Sequence, residues 1–169
     1  ANVEMDLESG QFAEKESLLP TPQSLYRMTE PQWMVDHLKD DLALQMYAFK
    51  NGYIQDLDRP RISRLAAHLK YPLDWSLESD LQRQIGGLLD KYSLRATRFI
   101  LEKARAFADR NRKRLLIILF DPYRAMAEAR DGKARYDQEI VDYLVNERFN
   151  YFDMNEVQLR DFRQFNLPF

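Results

Sequence analysis

RKRLLIILFDPYR, residues 112–124, decides how the rest of this chain is read. LLIILF (Leu115–Phe120) is six consecutive apolar residues, launched by the basic run RNRKR at Arg110–Arg114. An uninterrupted apolar strand is expected to be covered on both faces, as in the middle of a parallel sheet. The strand stops at DPYR (Asp121–Arg124), a turn signal because Pro fixes φ and offers no amide hydrogen to a ladder. After a long loop, RYDQEIVDYLVNER (Arg135–Arg148) predicts a helix with Ile140, Val141, Leu144 and Val145 on one face. NYFDMNEV (Asn150–Val157) predicts a second, shorter strand. Two strands joined by a helical crossover make a βαβ unit, and ligands gather at the carboxyl ends of such strands. Asp121 and Arg124 fall at one end; Asp153, Asn155 and Glu156 fall at the other. These five are the candidate cleft residues. Asp153 has a plainer use as a helix cap.

Upstream, the clearest helix runs from Gln82 to Asp109. Leu81, Ile85, Leu88, Leu89, Tyr92, Ala96, Phe99, Ile100, Ala104 and Phe107 recur at three- and four-residue steps. Gly86-Gly87 inside it weakens the helix by roughly 1–2 kcal/mol, which suggests the close approach of another backbone. Nearer the start, Val3, Met5 and Leu7 alternate with polar residues, and Glu8-Ser9-Gly10 makes a turn. Gln11–Glu14 then returns as a second strand, giving a small hairpin. LLPTPQ (Leu18–Gln23) is a connector into a short helix at Gln23–Met28. Thr29 caps a helix expected to reach Phe49, closed by Asn51-Gly52. A short helix over Ile62–Leu69 and a loop at Leu73–Asp80 follow, and the chain stops at Pro168-Phe169.

The 169 residues suit one domain able to bury roughly 70% of its unfolded surface. The reading is a single α/β domain, or part of one: hairpin and connector over 1–30, helical insertion over 31–80, helix–strand–helix–strand core over 81–169. A net charge of −2 argues against a chain dedicated to nucleic acid. No apolar run reaches the ~20 residues of a membrane helix. Absence of cysteine excludes disulfides and thiolate metal sites. His37 and His68 lack ligand spacing, so neither a metal nor a cofactor is expected. Asp36, Asp40 and Asp41 read as a solvated helix face; RPRISR (Arg59–Arg64) and RNRKR have the charge to bind phosphate, though the second is also what precedes a buried strand as it leaves the surface. Tyr123, Tyr136, Tyr143, Tyr151, Phe149 and Phe152 read as packing rather than as a stacking platform.

The DLESGQF turn, the proline connector, HLKDD, the long helix, RKRLLIILFDPYR, RYDQEIVDYL and NYFDMNE together resemble the C-terminal part of bacterial SGNH/GDSL-type hydrolase-like proteins. The resemblance covers most of the chain and centres on Gln82–Phe165. It implies a three-layer α/β/α fold with a mainly parallel sheet, incomplete here, and hydrolysis of esters or acyl groups. The family uses a Ser nucleophile, a His base and an orienting Asp, with backbone amide, Gly and Asn oxyanion donors. No Gly-Asp-Ser is present, and Met34 and Leu65 stand where an Asp-x-x-His would place its Asp. In the family these blocks lie upstream of the hairpin and just after the NYFDMNE-like strand. The chain starts at Ala1 without Met. The expectation is a fragment or divergent member that is not catalytic by itself, in a compartment left open between periplasmic, secreted and membrane-tethered. The alternative is a non-catalytic interaction subunit. Either way the remainder of a parent chain, or a protein partner, should cover the sheet edge.

Overall fold

A computed structural model describes residues 2–17, 19–121 and 123–165. Leu18 of the connector, Pro122 of the post-strand turn and the terminal Pro168-Phe169 lie outside the described residues. The chain divides into two compact units, Ala1–Ala96 and Thr97–Phe169.

In the first unit, β1 (Asn2–Met5) and β2 (Phe12–Lys15) pair antiparallel, with Met5 opposite Phe12. Asp6 holds the turn by accepting from the amides of Glu8 and Ser9 at 3.0 and 2.7 Å. Gly10 sits at φ +71°, and a Cβ there would strike the His68 ring, so both backbone and space demand glycine. A 3-10 turn at Gln23–Thr29 follows. The helix expected from Thr29 to Phe49 is in fact two, α1 (Pro31–Leu38) and α2 (Leu42–Lys50). The break falls at Asp41, whose extended backbone and side chain cap Leu44 at 2.9 Å. Then α3 (Arg59–His68), capped by Asp58, leads to the long α4 (Leu81–Arg110).

Met46, Ile62, Leu65, Ile85 and Leu88 are fully buried and build this unit's core. Phe12 packs on Tyr92 at 5.4 Å. Burial pushes the Tyr92 hydroxyl up to about 12. Gly86 and Gly87 make room for side chains, not for another backbone: a Cβ would meet Lys50 at 3.2 Å and, at Gly87, would overlap the Tyr71 hydroxyl.

In the second unit, β3 (Ile117–Leu119) pairs parallel with β4 (Tyr151–Asp153), Ile118 opposite Phe152. Between them lie α5 (Arg124–Arg130) and α6 (Gln138–Asn146), and α7 (Met154–Phe165) follows β4 directly. The expected 14-residue helix is shorter because Arg135, Tyr136 and Asp137 leave it for the polar network described below. The expected strand over Asn150–Val157 ends early for a related reason: Asp153 caps a helix at that point.

The three-layer α/β/α expectation is overturned. Helices hold 58% of the described residues, and the only sheets among them are two pairs, one of them antiparallel. The expectation that Leu115–Phe120 is covered on both faces fails with it. Leu116, Ile118 and Phe120 are each 60% exposed, and among the described residues β3 has β4 as its single strand neighbour. No helix among the described residues is long and apolar enough to cross a membrane.

Candidate functional site

The carboxyl ends of β3 and β4 are where chain polarity gathers side chains in a parallel pair. Asp121 follows β3. Its backbone amide donates to Asn155 Oδ1 at 2.6 Å, tying the end of one strand to the first turn of α7. One Asp121 carboxylate oxygen accepts from the amides of Tyr123 and Arg124 at 3.1 and 3.0 Å, so Asp121 caps α5. The other accepts from the Tyr136 hydroxyl at 2.5 Å. Burial pushes the Asp121 carboxyl up. The Tyr136 hydroxyl, the two amides and the Arg124 charge outweigh it and leave the group below the usual carboxylate range. Tyr136 moves the other way, raised by burial and by the bond to Asp121. At neutral pH the pair is therefore a carboxylate accepting from a neutral phenol.

Arg124 pairs with Glu128 at 3.1 Å, and its guanidinium lies 4.0 Å from the centre of the Tyr136 ring. Glu128 also accepts from the Tyr136 amide at 2.7 Å. Arg135 carries the second half of the network. It grips Asp137 with two bonds of 2.8 Å and reaches Asp153 at 2.5 Å. Asp153 also accepts from the amides of Asn155 and Glu156 at 3.1 and 3.2 Å, so it is both a cap for α7 and an ion-pair partner. Asn155 is 3% exposed, and its Nδ2 has no hydrogen-bond partner among the described residues. The Glu156 side chain is exposed, and Glu156 joins only through its amide.

The structure thus brings Asp121, Arg124, Asp153 and Asn155 together and leaves the Glu156 carboxylate outside. Sequence reasoning missed Glu128, Arg135, Tyr136 and Asp137. A signal existed: Glu128 stands four residues after Arg124 on a helix, the spacing of an ion pair. Arg-Tyr-Asp just before an amphipathic run should have suggested a helix entry tied to the preceding turn.

The remaining candidates are absorbed locally. The His37 ring stacks on Trp33 at 4.4 Å, and its Nδ1 lies 2.9 Å from the Trp33 carbonyl. His68 Nε2 meets the Leu7 carbonyl at 2.9 Å and so seats the hairpin on α3. Asp36 accepts from Gln32 at 2.9 Å, Arg61 donates to the Asp40 carbonyl at 3.1 Å, and Arg59 lies over Trp75. Tyr143 and Phe149 pack together under Arg98 and Arg105.

Chemically, the network can hold and orient polar groups, with the Tyr136 phenol as its hydroxyl donor beside the guanidiniums of Arg124 and Arg135. Between Thr97 and Phe169 the sequence has no Ser, no Cys and no His. Comparison with protein-family models, with characterised proteins and with solved structures yields no match.

Proposed function

We propose that this chain is a scaffold part of an SGNH/GDSL-like ester or acyl hydrolase, with no hydrolytic activity of its own. The Ser nucleophile and His base come from protein outside these residues. The observation that carries the reading is the ordered network of Asp121, Tyr136, Arg135, Asp153 and Asn155 at the carboxyl ends of a parallel βαβ pair. That edge is where such architectures place ligands. Within it, a unit free of Ser and His lacks the Ser nucleophile and His base that the resembled family uses.

A second reading, an interaction or structural subunit without chemistry, is favoured by one feature of the same network. Asp121, Glu128, Asp137 and Asp153 each already accept from an Arg, a Tyr or a backbone amide, as stitching groups do.

The test is the intact mass of the natural protein, paired with hydrolysis of p-nitrophenyl acetate by that protein and by this chain alone. A mass well above 20.2 kDa, with turnover by the natural protein and none by the chain, supports the hydrolase reading. Turnover by the chain alone overturns it. A 20.2 kDa inactive protein recovered in a stable complex favours the second reading.

A further inference from the structure

The uncovered face of β3 and β4 has a shape and a charge axis. Ile118 of β3 and the residues that flank the strand, Leu116 and Phe120, are each 60% exposed, and Phe152 stands beside Ile118 at 47%. Singly exposed apolar residues are ordinary, but a contiguous apolar strip on a sheet marks a surface meant to be covered. The two strands are parallel, so their like ends coincide. At the amino ends lie Arg110, Arg112, Lys113 and Arg114, all exposed, with Arg148 just before β4. Among the described residues no carboxylate pairs with Arg112, Lys113 or Arg114. At the carboxyl ends, among the described residues, Arg124 pairs with Glu128, Arg135 with Asp137 and Asp153, and Lys133 with Asp131, while the carboxylates of Asp121 and Glu156 add negative charge beyond these pairs. The strip therefore runs from a cationic end to an end with excess negative charge.

We propose that this face docks an amphipathic α-helix of a partner protein, laid antiparallel to β3 and β4 and acidic in its last turn. A helix is positive at its amino end and negative at its carboxyl end, so only the antiparallel orientation matches both ends of the strip. An acidic last turn meets the arginine cluster directly. Leu116 to Phe120 spans about 13 Å of strand, which about nine helical residues cover at 1.5 Å each. An apolar stripe at i, i+3, i+4 and i+7 fits that length. The proposal does not rest on the hydrolase reading, since the apolar strip is exposed whether or not the assembly hydrolyses esters.

The experiment uses this chain and two synthetic helical peptides of about 14 residues, shorter ones being marginal as helices in water. Both carry the same Leu stripe; one ends in a Glu-rich turn and the other in a Lys-rich turn. Binding is followed by amide chemical shifts. The Glu-ended peptide should bind about fivefold tighter and shift Leu116–Phe120 and Phe152, with the preference fading as salt rises from about 0.1 to 1 M. Ile118→Lys should abolish binding. The surface pair Lys113→Glu with Arg114→Glu should reverse the preference, and circular dichroism checks that each variant stays folded. Equal binding of the two peptides, or shifts elsewhere, overturns the proposal. So does self-association through this strip in sedimentation, or capture by anionic phosphatidylglycerol vesicles that Ile118→Lys abolishes while peptide binding is absent. Those two outcomes name a second copy and a lipid surface as the occupant.

Discussion

The two units of this chain are held together by different physics. Among the described residues, five of the six fully buried large side chains belong to the first unit; only Leu144 belongs to the second. The first unit's carboxylates mostly cap their own turns, as Asp6, Asp41, Asp58 and Asp74 do. In the second, polar groups reach across the fold: Tyr136 to Asp121, Arg135 to Asp153, Asn155 to Asp121, Arg98 to Glu139. It also leaves its most apolar strand half outside. A unit that buries its hydrophobic residues is stabilised without directional constraint. A unit that depends on paired charges is sensitive to geometry and pH, and it exposes surface that association can use.

That contrast can be broken first in the apolar core. Leu88→Ala removes a fully buried side chain and should destabilise by roughly 3–5 kcal/mol, through lost transfer energy and the cavity left behind. Hydrogen exchange should rise in α2 and α3 while α6 stays protected. Equal loosening of α6 would show one cooperative block, and the contrast would be gone.

Arg135→Ala asks the reverse question of the second unit. It strips the partner from Asp137 and Asp153, whose side chains are 11% and 14% exposed. Leaving partly buried carboxylates unpaired should destabilise by about 3 kcal/mol. Arg135→Lys should recover only part of this, because an ammonium cannot grip two carboxylates in the planar fork that Arg presents. Thermal melts of the three proteins check the order, and full rescue by Lys would mean that charge alone matters.

The Asp121–Tyr136 bond sets a pH window. Asp121 is depressed in the folded state, so its contribution is present above the unfolded value near ~3.9 and is lost as pH falls through the folded one. Tyr136 is raised, so its contribution is full below about 10 and is lost as pH climbs through its folded value. Tyr136→Phe should therefore lower stability by about 1 kcal/mol at neutral pH and by progressively less at both extremes. Urea midpoints measured from acid to alkali read this directly, and a pH-independent deficit would assign the loss to packing.

What the sequence disclosed, and what it hid, follows the same division. Local patterns were legible: the strand holding Val3 and Met5, the long helix α4 and the parallel pairing of two strands around a crossover all appear, although Ile100 and Phe107 of the expected α4 stripe stand exposed. Asp121, Arg124, Asp153 and Asn155 do meet, because chain polarity alone brings strand ends together. Burial was not legible. Six apolar residues in a row fit a strand with two covered faces, but covering needs further layers, and local composition does not report them. The link from Arg135 to Asp153 was hidden because an ion pair 18 residues from its partner leaves no periodic trace. The helix break at Asp41 was missed because Asp suits a cap and a solvated helix face equally in a pattern.

The smallest expected effect sharpens the contrast most. Ile117 and Ile118 are neighbours on β3, and alternation sends them to opposite faces, one partly buried and one exposed. Thr keeps the β-branched shape and strand preference of Ile, so replacing each by Thr isolates burial from propensity. Ile117→Thr should destabilise by about 1–2 kcal/mol as apolar area is lost and a hydroxyl is taken toward the core. Ile118→Thr should stay within about 0.5 kcal/mol, as surface changes do. Equal losses would mean the outer face is packed in solution, leaving a docking helix nothing to cover. A silent Ile118→Thr that nonetheless weakens peptide binding would show that its side chain contributes to association and not to this chain's own stability.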